Sequence, residues 1–368
     1  MNELVTLTPA LILAVAALLP AHRWALLATA VASAVAFLAS VIVVLTGVPS
    51  PLTRLVLLYT TGVVAVLAVF SRRHLDGDVR AAQYSRAFLL AAASALVVVA
   101  SGNLLVIAVA WVATGRALAV LLGHHDRVNA TADAVRRLWR ARLASDAALV
   151  IASLTLVGAS GESSVAAVSV WAAANPTALA LPVATVALFV AAAARSGLWP
   201  FSRWLVQSVV APAPVSALLH AGIVNAPVVL LLTLQPVWTL TTGADVLLAV
   251  VGFGSAIVLF PRKLVRPDVK TRLAWSTCAQ LGFMLGLVAI GAPLAAIAHM
   301  VLHGTYKAAA FLGAGEQISK ARAAEPASIE ASTAPMRAIG MVAGLLTGAG
   351  FATVVGAWSQ PVTSVTLV

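Results

Sequence analysis

Apolar runs of membrane-spanning length recur along almost the whole chain. A helix that crosses a bilayer needs about 20 predominantly apolar residues, and about twelve runs approach or exceed that length, separated by short polar or charged links. The predicted spans are 4–20, 24–46, 54–71, 84–101, 103–123, 143–158, 177–198, 213–234, 244–261, 272–290, 292–315 and 336–358. The pattern therefore predicts an all-α fold, a polytopic membrane helix bundle that forms a single transmembrane domain over residues 1–368.

Three parts of the chain depart from this simple alternation. The basic link 123–142 predicts a helix lying along the cytoplasmic face, with Leu138 and Trp139 toward lipid. The polar link 315–335 predicts a mobile cytoplasmic loop. Within the span 213–234, Pro227 has no N–H to donate, so one backbone carbonyl lacks its helix hydrogen bond. We therefore predict that this helix opens around water.

Composition leaves the integral membrane class as the one that fits. The chain is 61% apolar and 10% charged, with a mean hydropathy of +1.02, whereas soluble domains are about 25% charged. The net charge of +11 would suit a nucleic-acid partner. That partner is excluded by the position of the charges, because Lys and Arg are concentrated in the short links between spans.

The basic links alternate with links that lack Lys and Arg. The basic ones lie near 72–86, 123–142, 262–272 and 315–337, and the neutral ones near 160–175, 235–245 and 291–293. This is the positive-inside pattern, which places the basic loops in the cytoplasm, against anionic lipid headgroups. It predicts a multi-pass protein with both termini outside the cytoplasm, and the membrane we expect is the bacterial inner membrane; Arg54 alone falls on the wrong side.

Three basic residues of the eleventh span are candidates for an ion pathway. His299, His303 and Lys307 are spaced i, i+4 and i+8, which puts them on one helix face over about 12 Å. Neutral imidazoles both donate and accept hydrogen bonds and titrate near neutral pH, so such a series can transfer protons. The alternative is a set of buried polar groups hydrogen-bonded between helices. Three basic groups on one stripe favour the pathway.

Two further basic residues lie inside apolar runs. His220 is in the middle of the eighth span and is either part of the same route or a satisfied polar core residue. Arg195 is a fixed positive charge, because arginine keeps its proton; it can bias neighbouring groups or attract an anion. Its alternative is to extend its long stem to the cytoplasmic face.

Asp146 is the acidic residue nearest to these groups in sequence. It follows Arg142 by four residues, which predicts an i,i+4 ion pair at the membrane edge; the alternative is a counter-charge for the basic groups.

The single cysteine, Cys278, is predicted to be a small core residue. The sequence has no His/Cys cluster with zinc-site spacing, so we expect no catalytic, cofactor or metal site in this chain and no enzyme activity of its own.

Four segments resemble one family of membrane proteins. RSGLWPFSRWL and APAPVSALLHAGIVNA (195–205 and 211–226), and DVKTRLAWSTCAQLGFM and HMVLHGTYKAAAFLGAG (268–284 and 299–315), are similar to helices seven, eight, ten and eleven of antiporter-like proton-channel subunits. This family includes the large membrane subunits of respiratory complex I and of multisubunit sodium/proton antiporters. The resemblance implies an antiporter-like fold with broken helices and inverted repeats, the second of them truncated.

Within this family the sequence is more similar to the membrane subunit of DAB-type inorganic-carbon accumulating complexes. LLHAGIVNA, HGTYKAAAFL and AWVATGRAL carry that resemblance. It implies a proton- or sodium-coupled subunit for uptake of carbon dioxide or bicarbonate. It also implies a large peripheral partner on the cytoplasmic face, related to carbonic anhydrases, which would hold the zinc.

The resemblance also assigns roles to individual residues. His220, His299, His303 and Lys307 match the intramembrane proton path, whereas Arg195 stands where relatives commonly hold lysine. Val112 stands where respiratory relatives place a glutamate, and Ser359-Gln360 near another lysine of longer relatives, so we expect both half-channels to depart from the family pattern. Two other functions stay open: a respiratory or multisubunit-antiporter component, and a membrane scaffold that conducts nothing.

Overall fold

The structure, a computed structural model, describes residues 2–19, 24–125 and 129–323. Its α-helices are α1 (Asn2–Leu18), α2 (Ala25–Leu45), α3 (Pro51–His74), α4 (Ala81–Ala100), α5 (Leu104–Leu122), α6 (Asn129–Ser160), α7 (Val165–Ala174), α8 (Ala180–Arg195), α9 (Ser202–Gln207), α10 (Ala213–Ala221), α11 (Ala226–Thr233), α12 (Gln235–Trp238), α13 (Ala244–Leu264), α14 (Val269–Ala289) and α15 (Pro293–Ala323). Short 3₁₀ turns cover Gly123–His125, Ser208–Val210 and Ile223–Asn225. Within the described ranges the only β-type pairing is the isolated bridge between Asn103 and Ser164. The predicted all-α fold is confirmed.

Eleven of the predicted spans overlap described helices. Seven segments in the described ranges are long and apolar enough to cross a membrane: α2 to α5, Ala132–Ser160 of α6, the α10–α11 pair and α13. The helices α1, α7 and α8 are apolar but shorter, and α14 and α15 carry polar side chains along their length. The twelfth predicted span, 336–358, lies outside the described residues.

Two links were predicted wrongly. The stretch expected along the cytoplasmic face is instead the first part of α6, which runs unbroken for 32 residues, and Leu138 is fully buried in the bundle rather than turned to lipid. The expected loop 315–335 begins as helix, because α15 continues to Ala323. Its Ala, Glu, Gln and Lys residues are strong helix formers, so the helix extends beyond the apolar run; residues 324–335 lie outside the description.

The predicted helix break is present in the most buried part of the bundle. The segment Ala213–Thr233 is 94% buried over its most apolar window, so it is the central element of the fold. It is interrupted at Gly222, where α10 ends and a 3₁₀ turn leads into α11. Pro227 stands in the first turn of α11, the position where its missing N–H costs nothing.

Close helix packing holds the neighbouring α13–α14 pair. A Cβ added to Gly252 of α13 would lie 2.6 Å from the backbone nitrogen of Gly286 and 2.8 Å from the carbonyl oxygen of Gly282, both on α14. Small residues at such crossings let backbones approach directly, as is usual between membrane helices. α14 of this pair packs against α15.

Candidate functional site

The three basic residues of α15 lie in series on that helix, and we call them the histidine–lysine file (His299, His303 and Lys307). The rings of His299 and His303 are stacked, with centroids 5.7 Å apart and planes inclined by 19°. Lys307 is fully buried and its Nζ donates a hydrogen bond of 2.7 Å to the carbonyl oxygen of Leu273 on α14. The same carbonyl accepts a bond of 3.0 Å from the hydroxyl of Thr277.

His220, which belongs to the broken helix, lies beside this file. It occupies the last turn of α10, is fully buried, and stacks on Phe311 of α15 with ring centroids 4.5 Å apart. Neither ring nitrogen has a hydrogen-bond partner among the described residues. Phe311 follows Lys307 by four residues, so His220 contacts α15 one turn beyond the file. The structure therefore brings the four family-matched residues together at the α10–α15 contact.

The break itself is lined with polar groups. The hydroxyl of Tyr59 (α3) and the side-chain amide of Asn225 both donate to the carbonyl oxygen of Ala221, over 2.9 Å and 2.7 Å. A cavity of about 20 Å³ lies beside them, which is room for one water molecule. Contact with α15 is tight here, because a Cβ on Gly304 would overlap the Tyr59 hydroxyl and lie 2.7 Å from the Ala221 carbonyl oxygen.

Arg195 belongs to a second group, which we call the arginine cluster (Arg142, Asp146 and Arg195). Its guanidinium donates from Nη1 to the carbonyl oxygen of Trp111 over 2.9 Å and lies 4.1 Å from the centre of that indole. The side chain has no exposure to solvent, and Nη1 is 3.9 Å from Asp146 Oδ1. The alternative of an extension to the cytoplasmic face is therefore wrong.

Arg142 is also buried, at 2% exposure. Its guanidinium packs 5.4 Å from the centre of the Trp204 ring, and none of its nitrogens has a hydrogen-bond partner among the described residues. The expected i,i+4 ion pair at the membrane edge is not formed within 4 Å; Asp146 lies nearer to Arg195 and serves as its counter-charge. The i,i+4 spacing could not predict the pairing of Asp146 with Arg195. That pairing depends on how the end of α8 packs against α5 and α6.

α14 connects the two groups. Cys278 is buried on α14; its Sγ would lie 3.6 Å from a Cβ added to Gly197, two residues after Arg195. The same helix carries Leu273, whose carbonyl oxygen accepts a hydrogen bond from Lys307. α14 therefore contacts both the file and the segment that follows Arg195.

Val112 lies apart from both groups. It is half-buried and lines an apolar groove of about 440 Å³ between α5 and α6. No acidic side chain stands at this position, so the aspartate of α6 is the carboxylate that accompanies Arg195.

Comparison with known proteins gives the family of this helix bundle. A sequence profile described as NADH:quinone oxidoreductase/Mrp antiporter, TM, matches residues 101–356, which is more than half of the chain. The chain belongs to this family. The match includes α5 to α15 and therefore both groups of buried basic residues.

Similar curated proteins are named as inorganic carbon transporter subunits. The chain is 35% identical over 266 residues to the probable subunit DabB2 of Halothiobacillus neapolitanus, covering 72% of the chain and 48% of that protein. It is 33% identical over 264 residues to the probable subunit DabB of Bacillus subtilis, covering 69% and 50%. The chain thus spans about half the length of these relatives. The predicted resemblance to the inorganic-carbon branch is confirmed.

Solved structures share the fold. A chain of the Mrp complex from Dietzia sp. superposes with a TM-score of 0.73 at 26% identity, covering 84% of this chain and 36% of that one. A chain of the membrane-bound sulfane sulfur reductase, an archaeal respiratory membrane complex, superposes with a TM-score of 0.71 at 17% identity, covering 85% and 69%. The antiporter-like fold is therefore confirmed; the inverted repeats and the roles of the site residues stay predictions.

Proposed function

We propose that this chain is a cation-coupled membrane subunit of an inorganic-carbon uptake complex. In this proposal His220 and the histidine–lysine file line the route of a proton or sodium ion. The observation that carries the proposal is Lys307, a fully buried amine with a backbone carbonyl as its hydrogen-bond acceptor, beside two stacked histidines. The names of the similar transporter subunits support the carbon branch.

The physical argument rests on the free energy needed to place a basic side chain inside the membrane. A basic side chain at the centre of a membrane helix costs about 2.5–3.5 kcal/mol on insertion scales, and the file places a lysine and two histidines on consecutive turns. Unlike arginine, lysine readily shifts its pKa on burial, and imidazole titrates near neutral pH. A series of such groups is therefore suited to receiving and releasing protons.

The proposal includes a cytoplasmic partner. The basic loops would dock a large zinc-containing subunit related to carbonic anhydrases, and that subunit would hydrate carbon dioxide. Ion passage drives this reaction if it shifts the partner between two states, which requires different contacts in each state. The names of the DabB relatives as subunits support assembly into a complex.

The test is carbon uptake by Lys307→Ala in cells that lack other inorganic-carbon transport, expressed with its natural partner subunits. We expect the variant to assemble and to lose uptake and growth at ambient carbon dioxide, because the route lacks its central amine. Leu302→Ala is the matched control, since Leu302 is on the same helix but 58% exposed on the outer surface.

The alternatives predict different results. A scaffold that conducts nothing predicts normal growth of Lys307→Ala with the complex intact, which would refute the proposal. A respiratory or antiporter component is supported by a 28% identical relative named NAD(P)H-quinone oxidoreductase subunit 5. It predicts co-purification with quinone-reducing subunits rather than with a zinc protein, and that result would also contradict the carbon branch.

A further inference from the structure

We propose that the arginine cluster binds a small monovalent anion inside the bundle, between α5, α6, α8 and α9. The charges of the cluster do not balance. Arg142 and Arg195 are both buried, whereas Asp146, 3.9 Å from Arg195, is the one acidic side chain within 4 Å of either guanidinium in the described ranges. One additional negative charge would neutralise the group.

The hydrogen-bond donors of the cluster are unused. Nε, Nη1 and Nη2 of Arg142 and Nε and Nη2 of Arg195 are buried without a partner among the described residues. Arginine does not relieve this cost by losing its proton, and a buried donor left unsatisfied is costly, more so when it is charged. An anion supplies the missing acceptors and the missing charge together.

Two tryptophans lie near the guanidinium groups without occupying their N–H donors. The Trp111 ring lies 4.1 Å from the guanidinium carbon of Arg195, and the Trp204 ring lies 5.4 Å from that of Arg142. Neither ring accepts a hydrogen bond from Nε or Nη2 of Arg195 or from any nitrogen of Arg142. Those in-plane donors are the ones that match an oxyanion or a halide.

Gly115 of α5 provides space next to these donors. A Cβ added to Gly115 would lie 3.4 Å from Cδ of Arg142, 3.6 Å from its Nη1 and 3.7 Å from Asp146 Oδ2. All three are ordinary contact distances, so α5 carries no side chain that covers the Arg142 guanidinium on this side. A methyl group at position 115 would cover Nη1 of Arg142 and obstruct an anion bound there.

A small cleft lies along the same two helices. It has a volume of about 160 Å³ and is lined by Arg137 of α6 and Arg203 of α9, with Val206, Gln207 and Trp275. Arg203 is adjacent in sequence to Trp204, and Arg137 precedes Arg142 by about 7.5 Å along the helix axis. Because the cleft lies on the two elements that carry Arg142 and Trp204, it is the candidate entrance for the anion.

Chloride and bicarbonate share the chemistry that the cluster recognises. Anion binding rests on the buried guanidinium groups alone. The choice of bicarbonate as the occupant rests on the proposed function. The two anions are therefore compared directly.

The test measures saturable binding of radioactive chloride and bicarbonate to the purified full-length protein, with its co-purifying subunits, in gluconate buffer. We expect saturable binding by the natural protein. Arg142→Gln should raise the Kd roughly ten- to a hundredfold, since it removes a charged donor group. Arg140→Gln is the control, because Arg140 is on the same helix but exposed, and it should leave the Kd unchanged.

A second variant keeps every charge. Gly115→Ala places a methyl group against Arg142 Nη1, and we expect it to weaken binding while the unfolding temperature stays near that of the natural protein. Absence of saturable binding, or a Kd of Arg142→Gln equal to that of the natural protein, would overturn the anion site. A raised Kd in Arg142→Gln with an unchanged Kd in Arg140→Gln supports it, and the anion whose Kd changes identifies the occupant. Lys307→Ala should bind anions normally, so failure of the uptake test and failure of the binding test remain distinguishable.

Discussion

The arginine cluster and the histidine–lysine file place basic side chains in the same apolar bundle but differ in chemistry. The cluster combines two guanidinium groups with one carboxylate, and guanidinium groups keep their protons. The file combines two imidazoles with one amine, which are groups that exchange protons. The difference agrees with the proposed roles, in which the cluster holds fixed charge and the file lines the route of the ion.

Exchanging the side-chain chemistry of the two regions should have the largest effect. Lys307→Arg retains a positive charge but does not release its proton. We expect it to lower the initial rate of inorganic-carbon uptake at least about tenfold, as loss of a proton-transfer group does. Uptake of radioactive bicarbonate by cells with matched amounts of the protein gives the measurement.

The reverse exchange is the control. Arg195→Lys keeps a basic group next to Asp146 but loses the guanidinium contact with Trp111. Because the proposed ion route runs through the file, we expect this variant to lower uptake less than Lys307→Arg does. Normal uptake by Lys307→Arg, or loss of uptake only in Arg195→Lys, would mean that the roles of the two regions have been assigned the wrong way round.

The next largest effect is expected from the one carboxylate of the cluster. Asp146→Asn leaves two buried guanidinium groups without a counter-charge, which should lower the free energy of unfolding by about 3 kcal/mol. Because the carboxylate no longer repels an anion, chloride or bicarbonate should restore more stability in this variant than in the natural protein. Thermal unfolding in gluconate and in chloride tests both statements, and equal unfolding temperatures in gluconate would contradict the first.

Two glycines give the smallest and most local comparison. Gly304→Ala introduces a methyl group that overlaps the Tyr59 hydroxyl and approaches the Ala221 carbonyl to 2.7 Å, so we expect it to cost about 2 kcal/mol by overpacking. Gly115→Ala meets its nearest neighbour at 3.4 Å and gains helix propensity, so its effect on stability should stay below about 1 kcal/mol. Thermal unfolding of both variants gives the measurement. Equal destabilisation would show that the file is no more tightly packed than the cluster.

The sequence was most informative where a single helix decides the outcome. Apolar run length predicted the helices, and the i, i+4, i+8 spacing of His299, His303 and Lys307 placed them in series before their neighbours were known. Pro227 and the residues around it predicted the interruption, although the actual break lies at Gly222 and the proline begins the second half.

Features that depend on contacts between helices were not predictable in the same way. The burial of Arg142 results from packing of α6 against α8 and α9, and the local spacing rule predicted an edge ion pair instead. The short helices α7 and α12 lie in links that have no charge pattern or spanning length to mark them. The tryptophans at 111 and 204 were the available signal, because large aromatic rings often cover buried cations.

The shared acceptor of Lys307 has a consequence for its mobility. The Leu273 carbonyl also receives the Thr277 hydroxyl, so it keeps a side-chain donor when the ammonium group swings away. Departure of the lysine then leaves no bare acceptor behind, so the carbonyl adds little to the free-energy cost of that movement. A valine in place of Thr277 would remove this substitute donor and make each departure more costly.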